Sequence, residues 1–196
     1  MVSVERIREI AKGYYDKPNK VINWNDWVWY GHNEVVAGWV DKLAKTQKFD
    51  VDAVKSAAYL HDLAYSWTDK NDPTEEQQSL EETRKILTEQ GMNPDRVTLI
   101  VDGIITGHGM HDGRKPDLIE AQVLAAADAM SHLTTDFYLV ICWNHYLFEG
   151  KPLEDYKRWV LKKIERDFNN KIFFEDTKEI ARPYYEALKK VFGAEQ

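Results

Sequence analysis

Three stretches of the chain put a histidine or an aspartate where helical periodicity asks for an apolar side chain. His32 heads the stripe Val35, Val36, Trp39, Val40 and Leu43, the spacing of a single buried helix face. His61 follows Val54, Ala57 and Ala58 by seven, four and three positions, and Asp62 comes directly after it. Asp128 interrupts an apolar run and shares the face of Ala121, Leu124 and Ala125, with no Arg or Lys within a turn on either side. A carboxylate left unpaired there costs several kcal/mol, so it must be neutralised, paired with a distant base or bound to a metal. Two imidazoles and two carboxylates from three helices form a good first shell for a divalent transition metal. Any one of these histidines alone reads more simply as a hydrogen-bonded core residue. The independent inward phase of all three stretches is what carries the metal reading.

The elements that must position these groups are helical. No stretch alternates with period two between turn residues, so the expected fold is all-α. Val4, Ile7, Ile10, Ala11 and Tyr14 mark a short first helix. An irregular aromatic stretch from Asp16 to Tyr30 follows, whose Trp24, Trp27 and Trp29 are expected to cap a core. Helices are then expected from His32 and over Val51 to about Leu63. Asp72-Pro73-Thr74-Glu75 reads as a cap, a first-turn proline and an acidic start to a helix that stops at Gly91. Asn93-Pro94 opens another, ending near Thr106 where Gly107-His108-Gly109 begins a glycine-rich loop. A long helical region from Pro116 or Asp117 to about Phe148 comes next, broken near Ser131 to Thr134. Two more helices are expected over roughly Leu153 to Asn169 and Asp176 to Phe192.

Composition narrows the function classes. The chain has 196 residues, with seven Trp, ten Tyr and seven Phe, enough for one domain with a full core and too aromatic for a disordered chain. Thirty-three acids against 26 bases give a net charge of −7, which argues against a nucleic acid polymer as partner. The N-terminal segment meets charges within five residues and lacks an apolar signal region, and no window nears the ~18 apolar residues of a membrane span. The single cysteine, Cys142, reads as a small core residue and suits a reducing cytoplasm.

His32, then His61-Asp62 twenty-nine positions later, then Asp128 in an all-α chain resembles the HD-domain superfamily of metal-dependent phosphohydrolases. The segments around Ala127-Asp128-Ala129-Met130-Ser131-His132 and Glu165-Arg166-Asp167-Phe168 also look like members known only as predicted hydrolases. The resemblance implies a helical bundle in one domain over 1–196, with the metal-site region at about 26–139 and C-terminal helices over 152–192 packed on it. It further implies that His32, His61, Asp62 and Asp128 hold one divalent ion, which is manganese, cobalt, nickel, magnesium, iron or zinc. The expected activity is hydrolysis of a small phosphoester, such as a nucleotide, by water activated at that ion.

The departures from the pattern are specific. Binuclear members carry histidines on the helix after the His-Asp pair, where this chain has Glu75, Glu76, Gln77, Gln78 and Ser79. Mononuclear members carry acids three or four residues after the pair, where Tyr65 and Ser66 stand, leaving Asp69 and Asp72 as substitutes for a general base. Val35 replaces an arginine that many members place three residues after the first histidine. His132, four residues after Asp128, is expected to look into the same cavity, with Asp136 orienting its ring and a pKa near ~6.5 suited to donating a proton. His108 could fill the second histidine position of binuclear members, leaving a second metal site open beside the favoured single ion, or help position or protonate the substrate. With His111 it lies in the glycine-rich loop, which could close over a substrate, and Arg114 and Lys115 beside it could grip a phosphate. His145 reads as packing, and Lys157, Arg158, Lys162, Lys163 and Arg166 as a solvated helix face beside the stripe Trp159, Val160 and Ile164. Two rivals stay open: a non-catalytic metal or nucleotide binder on the same fold, and a di-iron oxygenase. A homo-oligomer is compatible with all three.

Overall fold

The computed structural model describes residues 2–17, 25–68, 72–109, 114–141 and 150–193. Trp24, Asp69, His111, Cys142 and His145 lie outside the described residues. Every regular element among the described residues is helical, so the chain is all-α. No helix among them is long and apolar enough to cross a membrane.

One helix organises the rest. We number the helices α1 (Val4–Tyr15), α2 (Glu34–Leu43), α3 (Val51–Leu60), α4 (Glu75–Glu89), α5 (Pro94–Thr98), α6 (Ile119–Thr134), α7 (Leu153–Arg166) and α8 (Glu175–Gly193). Every residue of α6 from Ala121 to Leu133 is buried, as befits a helix that is apolar nearly all round. Its alanines let neighbours approach closely. α2, α3, α8 and the segment after α7 all pack on it, while α1 packs on α3. A Cβ on Gly107 would stand 2.9 Å from that of Ala121, so glycine permits the approach of the Thr106–His108 turn to α6.

Local chemistry sets most helix ends. Asn93 Oδ1 accepts from Asp95 N–H, with Pro94 in the first helical position of α5. α4 stops at Gly91, whose φ of 73° lets Met92 N–H reach back to the Leu87 carbonyl at 3.0 Å. The start of α4 lies two residues later than the sequence suggests. Asp72 Oδ1 accepts from both the amide and the hydroxyl of Thr74, closing a turn that delays the helix to Glu75.

Three stretches are wound more widely than an α-helix, with i→i+5 closure: Val28–Asn33 before α2, Leu99–Ile105 after α5, and Asp167–Lys171 after α7. The stretch expected to be irregular up to Tyr30 is therefore helical from Asn25. The Trp27 indole lies against Gly31, where a Cβ would meet it at 2.8 Å. Trp29 is fully buried. The long helical region expected from Pro116 or Asp117 breaks next to the expected place: α6 ends at Thr134, Thr135 is extended, and residues 137–141 are helical again, while 142–148 lie outside the described residues.

Asp50 joins three elements. Its side chain caps α3 through Ala53 N–H and takes a bidentate bond from Arg96 at 2.7 and 2.9 Å, while its own N–H donates to Glu120 in the first turn of α6. Asp50→Ala removes the cap and the ion pair together and is expected to cost about 1–2 kcal/mol of stability in urea unfolding. An unchanged midpoint would contradict this account of the junction.

Candidate metal centre

His32 comes from the wide turn Val28–Asn33, His61 from the end of α3, Asp62 from the position after it, and Asp128 from the middle of α6. The structure brings the four together. His32 Nε2 lies 3.2 Å from His61 Nε2, 3.3 Å from Asp62 Oδ2 and 3.6 Å from Asp128 Oδ1. His61 Nε2 lies 3.4 Å from Asp62 Oδ2. Donor atoms of His32, His61 and Asp128 all fall within 4.8 Å of one another, and all three residues are buried.

Hydrogen bonds behind the rings determine what these nitrogens present. His61 Nδ1 is 2.9 Å from the Ala58 carbonyl, which only accepts, so Nδ1 carries the proton. Ser131 Oγ donates to the Asp128 carbonyl at 2.8 Å and therefore accepts from His32 Nδ1 at 2.9 Å. With a proton on each Nδ1, both rings turn Nε2 toward the same point, 3.2 Å apart and facing carboxylates. A cation between them, a proton or a metal ion, relieves the repulsion of such an arrangement. Ligands at ~2.1 Å from one ion stand about 3.0 Å apart in an octahedral shell and about 3.4 Å apart in a tetrahedral one. The donor set fits a divalent ion in both chemistry and spacing.

Asp128 is the most heavily supported group. Its side chain is 6% exposed, and Lys171 Nζ holds Oδ2 at 2.8 Å, leaving Oδ1 toward the imidazoles. The distant base that the sequence left open is therefore Lys171, forty-three residues away. Burial alone would raise the Asp128 carboxyl, but the His132 imidazole and the Lys171 ammonium outweigh it and hold it well below the usual range.

His132 stands between two carboxylates, Nε2 at 3.2 Å from Asp128 Oδ1 and Nδ1 at 3.0 Å from Asp167 Oδ2. Two expectations are corrected here. Asp136 does not orient the ring, because the break at Thr135 turns it outward to accept from Trp27 Nε1 at 2.8 Å. The ring is also not poised to donate a proton at neutrality. Burial pushes it down to about 4, against the pull of Asp128 and Asp167, so it enters as a neutral imidazole. Its orienting partner is Asp167, fully buried and also bound by Tyr138 Oη at 2.9 Å and Lys163 Nζ at 2.9 and 3.2 Å.

Around these groups lies a cavity of about 260 Å³. His108 lines it, edge-on to His61, with Nδ1 bonded to the Ile105 carbonyl. Burial and the Lys171 ammonium push that ring down to about 3. Arg114 and Lys115 do not line the cavity and are exposed. Lys115 Nζ lies instead 5.8 Å from the Phe173 ring. The cations on the cavity wall are Lys163, Arg166 and Lys171, so reading Lys163 and Arg166 as a solvated face is corrected. Trp159 also lines the cavity, while the α7 core stripe is Tyr156, Val160 and Ile164.

Sequence reasoning also passed over Glu75 as a site residue. It opens α4 on the cavity wall, accepts from Ser79 Oγ at 2.9 Å, and is pushed up to about 7 by burial and by the Asp62 charge.

With this geometry in view, the comparison with known families is direct. Residues 29–133, just over half of the chain, match the HD domain, and the chain belongs to that family. No curated protein and no solved structure matches it. The match spans the turn bearing His32 through the end of α6, and it stops before Lys163, Asp167 and Lys171.

Asp167 provides a pH test. Burial would raise its carboxyl, but Lys163 and His132 hold it well below the usual range. A depressed folded pKa contributes stability that is present above the unfolded value of ~3.9 and is lost as pH falls below it. Asp167→Asn should therefore be less stable at pH 7 by roughly 3–5 kcal/mol and lose less of its stability between pH 5 and pH 3 than the parent. Parallel acid profiles by chemical denaturation would refute the assignment.

Proposed function

We propose that the chain is a divalent-metal-dependent phosphohydrolase acting on a small phosphoester, with a nucleotide among the candidates. The observation that supports it most is the convergence of two imidazoles with fixed Nδ1 protons on two carboxylates. Membership of the HD domain family, whose members are mostly metal-dependent hydrolases, supports it from another side. In this reading His32, His61, Asp62 and Asp128 hold the ion. The ion, when bound, supplies a Lewis acid that lowers the pKa of water and polarises a phosphoryl oxygen.

The chain's own residues do the remaining work. Asp167 holds His132 by Nδ1, so that Nε2 can take a proton from water at the cavity floor, as in a carboxylate-oriented general base. Lys171 fixes Asp128 through Oδ2 and keeps it from turning. Glu75, at the start of α4 in the cavity lining, can return a proton to a leaving oxygen. His108, with its Nδ1 on a carbonyl, offers Nε2 as a hydrogen-bond acceptor. The single cysteine is compatible with a cytoplasmic setting.

Elemental analysis after metal exchange, combined with hydrolysis assays on nucleoside mono-, di- and triphosphates, cyclic nucleotides and simple phosphoesters, tests the proposal. Asp128→Ala should lose both the ion and turnover, and unaltered metal content in that variant would sink the ligand assignment. His132→Ala should keep the ion while lowering turnover by roughly 10²–10⁴-fold. Full turnover in a folded, metal-loaded His132→Ala would leave the ring a core residue only. A metal-loaded parent inactive on the whole panel would favour a binding protein on the same fold.

A further inference from the structure

The cavity lining carries both signs of charge: Glu75 and Glu76 come from the start of α4, and Lys163, Arg166 and Lys171 from α7 and the turn after it. Two of the three cations are already paired: Lys171 with Asp128 Oδ2 at 2.8 Å, and Lys163 with both oxygens of Asp167. Arg166 differs. Its Nε is enclosed yet has no hydrogen-bond partner among the described residues. The carboxylate oxygen paired with it, Asp167 Oδ1, is 3.9 Å away and already takes Lys163. The side chain is 37% exposed and borders the cavity. With Nε closed off, the part of the guanidinium left for a ligand is its planar Nη pair, which matches two oxygens of one phosphoryl group.

We propose that Arg166 is the phosphate-binding residue of this site, and that it selects a terminal phosphoryl group over a phosphodiester. The inference rests on the phosphohydrolase reading above. A terminal phosphoryl group has three non-bridging oxygens, enough to give two to the guanidinium fork and one to the ion. A diester has two and must give up either the fork or the ion. The substrate class is therefore a phosphomonoester or the end of a polyphosphate chain. Arg166 takes the role expected of Arg114 and Lys115, and it does so from the C-terminal end of α7, beside Asp167 and its partner His132.

The test is calorimetric titration of inorganic phosphate and of dimethyl phosphate into manganese-loaded protein, with metal content and far-UV circular dichroism measured on every sample. The parent should bind phosphate at least ~10-fold more tightly than dimethyl phosphate. Arg166→Gln should weaken phosphate by ~10–100-fold, the range for losing a bidentate charged contact, while manganese stays at the parent level. Arg166→Lys, which keeps the charge and loses the fork, should still weaken phosphate several-fold, and it serves as the reading should Arg166→Gln fail to fold. Parental phosphate affinity in either folded, manganese-loaded variant overturns the role of Arg166 and leaves the metal reading standing. Equal affinity for the two anions in the parent overturns the selection of a terminal phosphoryl group. A parent that takes up no manganese or other divalent ion overturns the phosphohydrolase reading itself.

Discussion

Burying the Asp128 carboxylate in the middle of an apolar helix is the constraint that the surrounding structure answers. An isolated charge at that depth is untenable, and each neighbouring element contributes a group that compensates it. The segment after α7 sends Lys171 to Oδ2, the turn before α2 sends His32 toward Oδ1, and α6 itself sends His132 from one turn further on. Each of those groups is then held from behind, His32 by Ser131 and His132 by Asp167. The lysine satisfies one oxygen. The other faces the imidazole nitrogens of His32 and His132, where a shared cation would complete the network.

The three wide turns belong to the same design. His32 rides on one, Asp167 and Lys171 on another, and the third leads directly into His108. A turn closed i→i+5 holds more residues than the 3.6 of an α-helix and redirects the side chains that follow. Lys163, Asp167 and Lys171 recur at every fourth position, where a regular helix would rotate each by about 40° from the last. Lys171 reaches the inward face at the end of the widened turn. Each such distortion places a polar group on the cavity or next to one that is.

The sequence made His32, His61 and Asp128 legible because a polar residue in phase with an apolar stripe contradicts its surroundings. The same signal was present at the C-terminal end and went unread. Asp167 and Lys171 continue the stripe of Val160 and Ile164 at offsets of seven and eleven, so both belong to the buried side by the rule that singled out Asp128. Lys163 and Arg166 were harder, since on a helix with many bases a residue that faces a cavity has the same pattern as one that faces water. Asp136 is set at helical spacing from His132, but the break expected near Ser131 to Thr134 falls at Thr135 and turns it outward. Glu75 reaches the cavity only because the turn at Asp72 sets where α4 begins. Asp69 lies outside the described residues.

The central claim is that two imidazoles whose protons are committed elsewhere share one cation with Asp128. Anomalous diffraction from crystals of manganese-loaded protein measures this most directly. The account predicts one peak bonded to Nε2 of His32, Nε2 of His61 and an oxygen of Asp128, at about 2.0–2.3 Å. No peak between the rings, or a manganese bound through Nδ1 of either histidine, would contradict it, because the hydrogen bonds to Ala58 and Ser131 would then not be setting the direction of the lone pairs.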